Sequence, residues 1–493
     1  MMSVEILLIQ KIKLFHGDNT MVFSSLEFLF RFLPLMMLAY FVTPERYRNV
    51  TLLIGSLAFY AYGEPIYILL MVASIVINHV LARKIYHYYK AEERSGWNLA
   101  YKRRRALLLA LIFDLGALFI FKYLDFFIRI INGITPLSIP EVSLTLPLGI
   151  SFYTFQIISY VIDVYRRTYR ASESFVNFAT YVCMFPQLIA GPIVNFSEVS
   201  EQMKSRRINL RGIEWGMSIF ILGLTYKVLL ANKIASLWND VQTVGVLGIN
   251  TPTAWLGSWG YSMQIFFDFF GYSLMAIGLG RILGFNFPVN FINPYCAVSA
   301  TEFWRKWHVT LGRWFREYVY IPLGGNRKGK SRMIFNMFIV WFLTGFWHGA
   351  DWNFILWGLF FFVFLMLEKL IYLKTLEKHR ILGHIYMLIL IPVSWTIFNI
   401  SDLAALSKYL CRMFFIPLKG SVVVDGMGKF MSLFGTYWWL LMICAICATP
   451  LPMKLLKKYY RNGIVKVILF ALFWFSVYQI SLGGNNPFLY FRF

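Results

Sequence analysis

The sequence has few charged residues, and few acidic ones in particular. Only 14% of its 493 residues are Asp, Glu, Lys or Arg, against about a quarter in an average soluble protein. Disorder, collagen and coiled coil are excluded, because 58% of the residues are hydrophobic and mean hydropathy is +0.60. Such a composition is typical of a chain whose apolar surface faces lipid.

Cysteine and the motifs of common soluble enzymes are scarce as well. The five cysteines form no metal-ligand array, and the single C-x-x-C, Cys444 to Cys447, lies in the apolar run TYWWLLMICAICATP, where helix packing is expected. No P-loop, glycine-rich dinucleotide fingerprint, G-x-S-x-G elbow or H-E-x-x-H is present. Soluble hydrolases, kinases and metalloproteases therefore lack support, and we expect no bound metal or cofactor.

Basic residues are the one abundant charge: 47 Lys and Arg minus 24 Asp and Glu give +23 with His neutral. Such an excess first suggests nucleic-acid binding. Here the basic residues fall in short clusters between apolar runs, where they set topology by the positive-inside rule. We therefore predict a multi-pass protein of the cell membrane with no nucleic-acid partner.

Apolar segments of roughly 20 residues recur from Met21 onward, the length that an α-helix needs to cross about 30 Å of hydrocarbon. We predict an all-α bundle of about eleven crossings, because two or more segments are expected to lie flat, re-enter or pair as half-spans. Residues 1–20 are predicted to be an N-terminal extension without a cleavable signal peptide, with Met21 as an alternative start, and residues 21–493 to be one membrane domain. The segments lie near 25–42, 50–62, 65–82, 106–121, 147–165, 175–194, 213–231, 254–281, 333–349, 352–373, 384–400, 433–450 and 464–481.

Two polar segments orient the bundle. The loop from Arg83 to Arg105 holds eight Lys and Arg against two Glu, which should keep it in the cytoplasm and, counting back two helices, places the N-terminus outside. The segment from Thr301 to Ser331 mixes aromatic and cationic residues too densely for lipid. We expect it at the cytoplasmic interface or lining a polar interior.

His348 closes the apolar run MIFNMFIVWFLTGFWHGADW, with Gly345 and Gly349 flanking Trp347-His348. A neutral imidazole in an apolar pocket is ready to take a proton, as a general base for acyl transfer to a hydroxyl must be. The alternative is a buried histidine in a helix-packing motif, since G-x-x-x-G spans Gly345 to Gly349. The pattern alone favours neither.

His308 lies in FWRKWHVTLGRW. Positions 304, 307, 308 and 311 share one face of a predicted helix, so His308 should lie among tryptophans while the basic residues point elsewhere. An aromatic and cationic lining suits an acyl carrier with a nucleotide or phosphopantetheine group. It equally suits an interfacial belt, which the composition favours.

Three acidic residues lie within or beside apolar spans: Asp114, Asp163 and Asp268. Each needs a partner there, and Arg166 is a candidate for Asp163 at i+3. Polar clamps between helices are a more economical interpretation than catalysis.

The ordered set of motifs resembles the membrane-bound O-acyltransferase superfamily, most closely its bacterial alginate O-acetyltransferase branch. The resemblance runs through MVFSSLEFLFRFLPL (21–35), LPLGISFYTFQIISYVIDVYR (146–166), FPQLIAGPIVNF (185–196), YSMQIFFDFFGYSLMAIGLGRILGFNFPVNF (261–291), TEFWRKWHVTLGRWFREYVYIPLGGNRKG (301–329), GFWHGADWNFILWG (345–358) and the terminal NPFLYFRF.

This resemblance implies a funnel-shaped bundle around a central tunnel, with His348 and His308 as the functional histidines. It implies transfer of an acyl group, usually acetyl from a cytosolic donor such as acetyl-CoA, toward a hydroxyl on an exported polysaccharide such as alginate, often completed by a secreted or periplasmic acetyltransferase partner. Membrane lipid surrounds such a protein. The residues expected at the donor are Trp304, Arg305, Trp307, Asp268 and Trp347.

Two departures from the branch bear on the acceptor. FDFFGYSL places Phe270 and Leu274 where the branch has a serine and an acid, and Leu274 is closer to D-alanyl transfer proteins of teichoic acid modification. PLGGNRKG instead resembles the acetyltransferases. The alternative reactions are D-alanyl transfer to teichoic acid and peptidoglycan O-acetylation. Two alternatives come from other classes: a transporter of a lipid-linked or acylated substrate, and a scaffold for polysaccharide export. Transporters usually have paired inverted halves, which are not evident in this sequence.

Overall fold

The computed structural model describes residues 21–189, 191–418, 426–483 and 489, and this part of the chain contains helices and no strand. Its α-helices are Leu33–Val42, Arg48–Gly63, Ile68–Ser95, Ala100–Leu118, Leu124–Ile134, Ile150–Tyr165, Phe175–Cys183, Phe185–Leu188, Phe196–Lys204, Leu210–Thr225, Asn232–Val244, Thr251–Ile282, Ala300–Lys306, Val309–Phe315, Lys330–His348, Trp352–Leu367, Leu373–Lys378, Arg380–Asn399, Leu403–Met413, Gly426–Cys447, Leu451–Tyr459 and Gly463–Ser481. The all-α prediction is confirmed. The proposed extension, residues 1–20, lies outside the described residues.

Eight of the described helical segments are long and apolar enough to cross a membrane. The multi-pass prediction is therefore confirmed, whereas the count of eleven crossings stays a prediction. The segment from Thr301 to Ser331 is in none of the eight, in line with its density of aromatic and cationic residues. The eight are Ile68–Ser95, Ala100–Ile134, Leu210–Val244, Thr251–Ile282, Trp352–Lys378, Arg380–Asn399, Gly426–Cys447 and Gly463–Ser481.

The helix Thr251–Ile282 forms the centre of the bundle, and 25 of its 32 residues are buried. It packs closely along Leu210–Thr225 through two pairs of glycines. A Cβ atom added to Gly216 would lie 2.6 Å from the carbonyl oxygen of Gly278, and one added to Gly223 would lie 2.5 Å from that of Gly271. Small residues at such positions let two backbones approach, as is common between helices in membranes.

Short π-helical turns interrupt several long helices and carry unusual residues. Lys122 lies in Phe119–Tyr123, Lys227 in Tyr226–Ala231 and Glu368 in Glu368–Tyr372. A π-turn accommodates one extra residue in a helical turn, and such turns are frequent at functional sites. Here they present ionisable side chains to the interior of an apolar bundle.

Candidate active site

The chain breaks its helix at His308 instead of continuing through it. Helices Ala300–Lys306 and Val309–Phe315 are separate, and His308 has φ +44° and ψ +52°, a conformation uncommon for a residue with a Cβ. The predicted continuous face of positions 304, 307, 308 and 311 is therefore wrong. The cause is the segment around Asn290, whose carbonyl accepts a hydrogen bond from the Val309 N–H at 3.0 Å.

Asn290 also fixes the tautomer of His308. The Oδ1 atom of Asn290 accepts hydrogen bonds from the Thr310 hydroxyl at 2.9 Å and backbone N–H at 3.4 Å, so it is the carbonyl end of the amide. His308 Nδ1 lies 3.1 Å from that oxygen and must donate to it. Nε2 is therefore the unprotonated nitrogen, buried with no hydrogen-bond partner among the described residues. Burial lowers the pKa of His308 to about 3, so the ring is neutral near pH 7.

A buried carboxylate holds the helix that leads to His308. Glu368 is fully buried and accepts hydrogen bonds from the backbone N–H groups of Ala300 and Thr301 and from the Thr301 hydroxyl, at 2.5, 2.8 and 2.6 Å. These donors form the N-terminus of Ala300–Lys306, where a negative charge is favourable. Because Glu368 belongs to a distant helix, it ties the position of His308 to the rest of the bundle.

His308 lies in the lining of a cavity of about 640 Å³, which we call the inner cavity. Its lining mixes tryptophan with cations, as expected for a nucleotide-bearing acyl donor. The residues are Thr301, Trp304, Arg305, His308, Val309, Leu311, Gly312, Arg313, Phe315, Arg316, Tyr320, Asn326, Met337, Val340, Trp341, Thr344, Leu365, Lys369 and Leu373.

The structure separates the residues predicted at the donor. Trp304 and Arg305 line the inner cavity with His308, so the expectation that the basic residues point elsewhere is wrong. Trp307 is absent from that lining and packs with its ring 4.8 Å from that of Trp395. The prediction did not include Arg316 and Lys369, two exposed cations at the same cavity.

Arg313 lines the inner cavity as well, but its charge is matched. Its guanidinium donates to both oxygens of Glu198 at 2.7 and 2.9 Å. Lys306 pairs in the same way with Glu302 at 2.6 Å. Of the four Lys and Arg residues that line the inner cavity, Arg305, Arg316 and Lys369 form no ion pair with a carboxylate among the described residues.

His348 is the last residue of the helix Lys330–His348, which we call the His348 helix. The helix packs tightly on Trp352–Leu367: a Cβ atom on Gly345 would lie 2.3 Å from the carbonyl oxygen of Phe354 and 3.3 Å from the Cα atom of Gly358. The imidazole is buried against the rings of Trp357 and Phe398, with centroid distances of 5.0 and 5.4 Å. His348 thus lies in an apolar pocket and also at the end of a helix that packs through glycine, so both features that the sequence indicated are present.

Lys122 holds the end of the His348 helix. Its ammonium donates to the carbonyl oxygens of Trp347 at 2.6 Å and His348 at 3.2 Å, and lies 3.4 Å from the Ser151 hydroxyl. A cation is favourable at a helix C-terminus, where the last carbonyls have no partner within the helix. Sequence reasoning missed Lys122, although an ionisable residue in the run ALFIFKYLDFF is the same kind of signal as His348.

Lys122, Trp347 and His348 line a second cavity of about 50 Å³, which we call the outer cavity. The loop before the helix Ile150–Tyr165 forms its opposite wall. The complete lining is Lys122, Leu146, Pro147, Leu148, Gly149, Ile150, Ser151, Phe152, Ile189, Trp347 and His348.

The two cavities lie toward opposite ends of the helix Ile150–Tyr165, which is about 24 Å long at 1.5 Å per residue. Its first residues line the outer cavity. Just beyond its last residue, Arg166 donates to the Glu317 carbonyl at 3.1 Å, next to Arg316 of the inner cavity. Arg167 pairs with Glu92 at 3.2 Å. Glu92 lies in the basic segment 83–105, which the positive-inside rule assigns to the cytoplasm. Most of this predicted loop is helical, as the end of Ile68–Ser95 and the start of Ala100–Leu118.

The ring of Trp347 contacts both histidines. The centroid of its ring system is 6.1 Å from the His308 ring and 5.0 Å from the His348 ring. The histidines are close enough to interact electrostatically. One histidine thus lines the inner cavity, the other lines the outer cavity, and a single indole contacts both.

The acidic residues are clamps, as their apolar surroundings suggested. Asp268, predicted at the donor, forms an ion pair with Lys227 at 2.6 Å and lines neither cavity. Asp163 accepts from the Tyr318 hydroxyl at 3.0 Å, and the predicted Arg166 interacts with it electrostatically. Asp114 accepts from Asn78 at 2.9 Å. No cluster of three His, Cys, Asp or Glu suited to a metal occurs in the described part of the chain.

Comparison with known proteins decides the family. The sequence profile of the membrane-bound O-acyltransferase family matches residues 169–400, which include both histidines. A probable alginate O-acetylase of Pseudomonas putida is 34% identical over 96% of this chain and 100% of its own. The chain belongs to the membrane-bound O-acyltransferase family.

Other relatives of this acyltransferase differ in the acceptor that their names state. A probable alginate O-acetylase of Pseudomonas syringae pv. tomato is 38% identical over 80% of this chain and 75% of its own. The peptidoglycan O-acetyltransferase of Helicobacter pylori is 36% identical over 80% of each chain. The two names share O-acetyl transfer and differ in the acceptor, alginate in one and peptidoglycan in the other.

Proposed function

We propose that this acyltransferase passes an acetyl group from acetyl-CoA on the cytoplasmic side of the cell membrane to a hydroxyl group on the outer side, for O-acetylation of an exported polysaccharide such as alginate. One observation carries the proposal: two histidines that contact the same indole line two different cavities, His308 the inner one and His348 the outer one. A transporter needs no such pair, and the family is one of enzymes.

The inner cavity supports a donor with a nucleotide and a long arm. Its volume of about 640 Å³ is within the range of sites for ligands of that size. Arg305, Arg316 and Lys369 would bind phosphate groups, because guanidinium and ammonium groups are the usual partners of phosphate. The acyl end of the arm would then reach His308 in the depth of the cavity.

The chemistry requires a base at the acceptor hydroxyl. In the proposed reaction His348 takes the hydroxyl proton, the oxygen forms a bond to the acetyl carbonyl carbon, and the bond from that carbon to the CoA sulfur breaks. The imidazolium returns the proton to the departing thiolate, so charge and atoms balance. In an alternative route, the acetyl group is first transferred to His348 itself and then to the hydroxyl. In both routes His308 positions the thioester of the donor.

The acceptor is chosen on the outer side. Alginate is proposed first because of the motif PLGGNRKG and the probable alginate O-acetylases among the relatives. Peptidoglycan is the second candidate, because the Helicobacter pylori relative is almost equally similar. A secreted or periplasmic acetyltransferase would complete the transfer to the polysaccharide, and the small outer cavity beside His348 is where the acetyl group would be handed on.

The activity is tested with purified protein in vesicles and acetyl-labelled acetyl-CoA. Labelled acetyl groups on a soluble glycan or acetyltransferase supplied on the far side would support the proposal. Release of intact labelled donor on that side would contradict it and favour a transporter. In cells, His348→Ala should abolish acetylation of the exported glycan while the amount of the protein in the membrane stays unchanged. The acceptor is identified by measuring base-labile acetate separately on exopolysaccharide and on peptidoglycan.

A further inference from the structure

A third cavity lies on the flank of the bundle, away from both histidines. It has a volume of about 570 Å³ and lies between the helices Leu210–Thr225 and Gly463–Ser481. Its walls are almost entirely apolar and include Met217, Phe220, Leu279, Phe473 and Trp474. We call it the flank groove. Because its walls are lipid-facing helices, its natural occupant is an acyl chain.

One end of the flank groove is cationic. Glu214 there forms ion pairs with Lys466 at 3.0 Å and Arg461 at 3.6 Å, and Arg211 also acts on it electrostatically. Three cations around one carboxylate leave two positive charges in excess. The side chains of Lys466 and Arg461 are 50% and 59% exposed, so most of their N–H donors face outward.

The cationic end lies on the same side of the bundle as the inner cavity. Arg206, near the start of Leu210–Thr225, donates to the Gln202 carbonyl at 3.2 Å, and Gln202 belongs to the same short helix as Glu198, the partner of Arg313 at the inner cavity. Trp215 and Tyr460 stack edge to face at 5.2 Å. Such aromatic pairs mark the interface between hydrocarbon and headgroups.

We propose that the flank groove is a binding site for an anionic phospholipid. One acyl chain occupies the apolar walls, and the headgroup phosphate is held by Lys466 and Arg461. Basic pockets between membrane helices on the cytoplasmic side are suited to such headgroups. The complementary charge selects an anionic phospholipid over a zwitterionic one, whose own cationic group would meet Lys466 and Arg461.

The test uses the full-length protein in nanodiscs of phosphatidylglycerol and phosphatidylcholine, with retained lipid counted by native mass spectrometry and thermal unfolding recorded. We expect the retained lipid to be enriched in phosphatidylglycerol, and the midpoint temperature of unfolding to rise with the fraction of phosphatidylglycerol in the nanodisc. The double variant Lys466→Gln and Arg461→Gln should lose about tenfold or more of the preference, because each cation near an anionic headgroup changes affinity about fivefold. Lys457→Gln with Lys458→Gln removes the same charge from exposed positions off the groove and should keep the preference.

A second pair of variants tests the apolar part of the site. Met217→Trp fills the groove and should reduce retained phosphatidylglycerol, whereas Leu35→Trp, an equally bulky change at an exposed position outside the groove, should not. Equal retention of the two lipids by the unaltered protein would overturn the proposal. So would a preference that survives the loss of both Lys466 and Arg461. Neither result depends on the acyl acceptor or on transfer activity.

Discussion

The Nδ1 atom of His308 donates a hydrogen bond to the Oδ1 atom of Asn290 over 3.1 Å, and this bond assigns Nε2 as the lone-pair nitrogen of the ring. The same oxygen accepts from Thr310 at 2.9 Å. Asn290 therefore sets both the tautomer of His308 and the break in the helix that presents it. A donor thioester at the end of the inner cavity would meet the ring in one fixed orientation.

Asn290→Ala tests this relationship. Without the acceptor the His308 ring is free to rotate and exchange tautomers, and small misplacements of catalytic groups cost up to about a hundredfold in rate. We expect turnover with acetyl-CoA to fall about tenfold or more while the protein still purifies as a folded species. Asn98→Ala, at an exposed loop position, is the matched control. Normal turnover in Asn290→Ala would show that the bond is dispensable.

Lys122→Met removes the cation from the end of the His348 helix. The carbonyl groups of Trp347 and His348 then lose a charge-assisted hydrogen bond each, and His348 loses its fixed position at the outer cavity. We expect a lower kcat with the KM for acetyl-CoA nearly unchanged, because Lys122 lines the outer cavity and not the inner cavity proposed for the donor. Lys102→Met, an exposed change on the same membrane segment, serves as control. A raised KM with normal kcat would place Lys122 at the donor instead.

The contact between Gly345 and Phe354 predicts a stability effect. In Gly345→Ala the new methyl group would lie 2.3 Å from the Phe354 carbonyl oxygen, so the two helices must separate, at a cost of about 1–3 kcal/mol. A lower thermal midpoint and lower activity are expected. Gly116→Ala adds the same methyl group where nothing lies within 4 Å and should leave the midpoint unchanged or raise it. Equal midpoints for the two variants would argue against tight packing at His348.

The cations of the inner cavity predict a salt-dependent KM. Arg305→Gln and Arg316→Gln each remove a positive charge that no carboxylate neutralises among the described residues. We expect each variant to raise the KM for acetyl-CoA several-fold and to weaken its dependence on ionic strength, with kcat little changed. Arg104→Gln, at an exposed position near the start of the helix Ala100–Leu118, should behave as the unaltered protein. A fall in kcat alone would assign these residues a different role.

Much of the fold and half of the site follow from local sequence. The apolar runs give the long helices, and His348 is conspicuous because it is an ionisable residue at the end of such a run. The break at His308 could not be predicted in this way, since it depends on Asn290, which is 18 residues earlier and reaches His308 only in the folded chain.

Other parts of the site depend on contacts between distant helices. Lys122 meets the Trp347 carbonyl across 225 positions of sequence, and Glu368 reaches Ala300 across 68. Lys122 carried a local signal, a cation within an apolar run, but nothing in the pattern indicated its partner. Asp268 carried the same signal, but it forms an ion pair with Lys227 away from both cavities. An ionisable residue in an apolar run therefore predicts a polar contact, but only the folded structure shows whether that contact belongs to the site.

The most direct measurement of the central claim is acetyl transfer across the bilayer by His348→Ala and His308→Ala. Each variant is purified into vesicles with acetyl-labelled acetyl-CoA at the inner cavity and a hydroxyl acceptor on the opposite side. The account predicts that His348→Ala binds acetyl-CoA normally but transfers no label, and that His308→Ala transfers at a much reduced rate. Transfer by His348→Ala at the rate of the unaltered protein would contradict it.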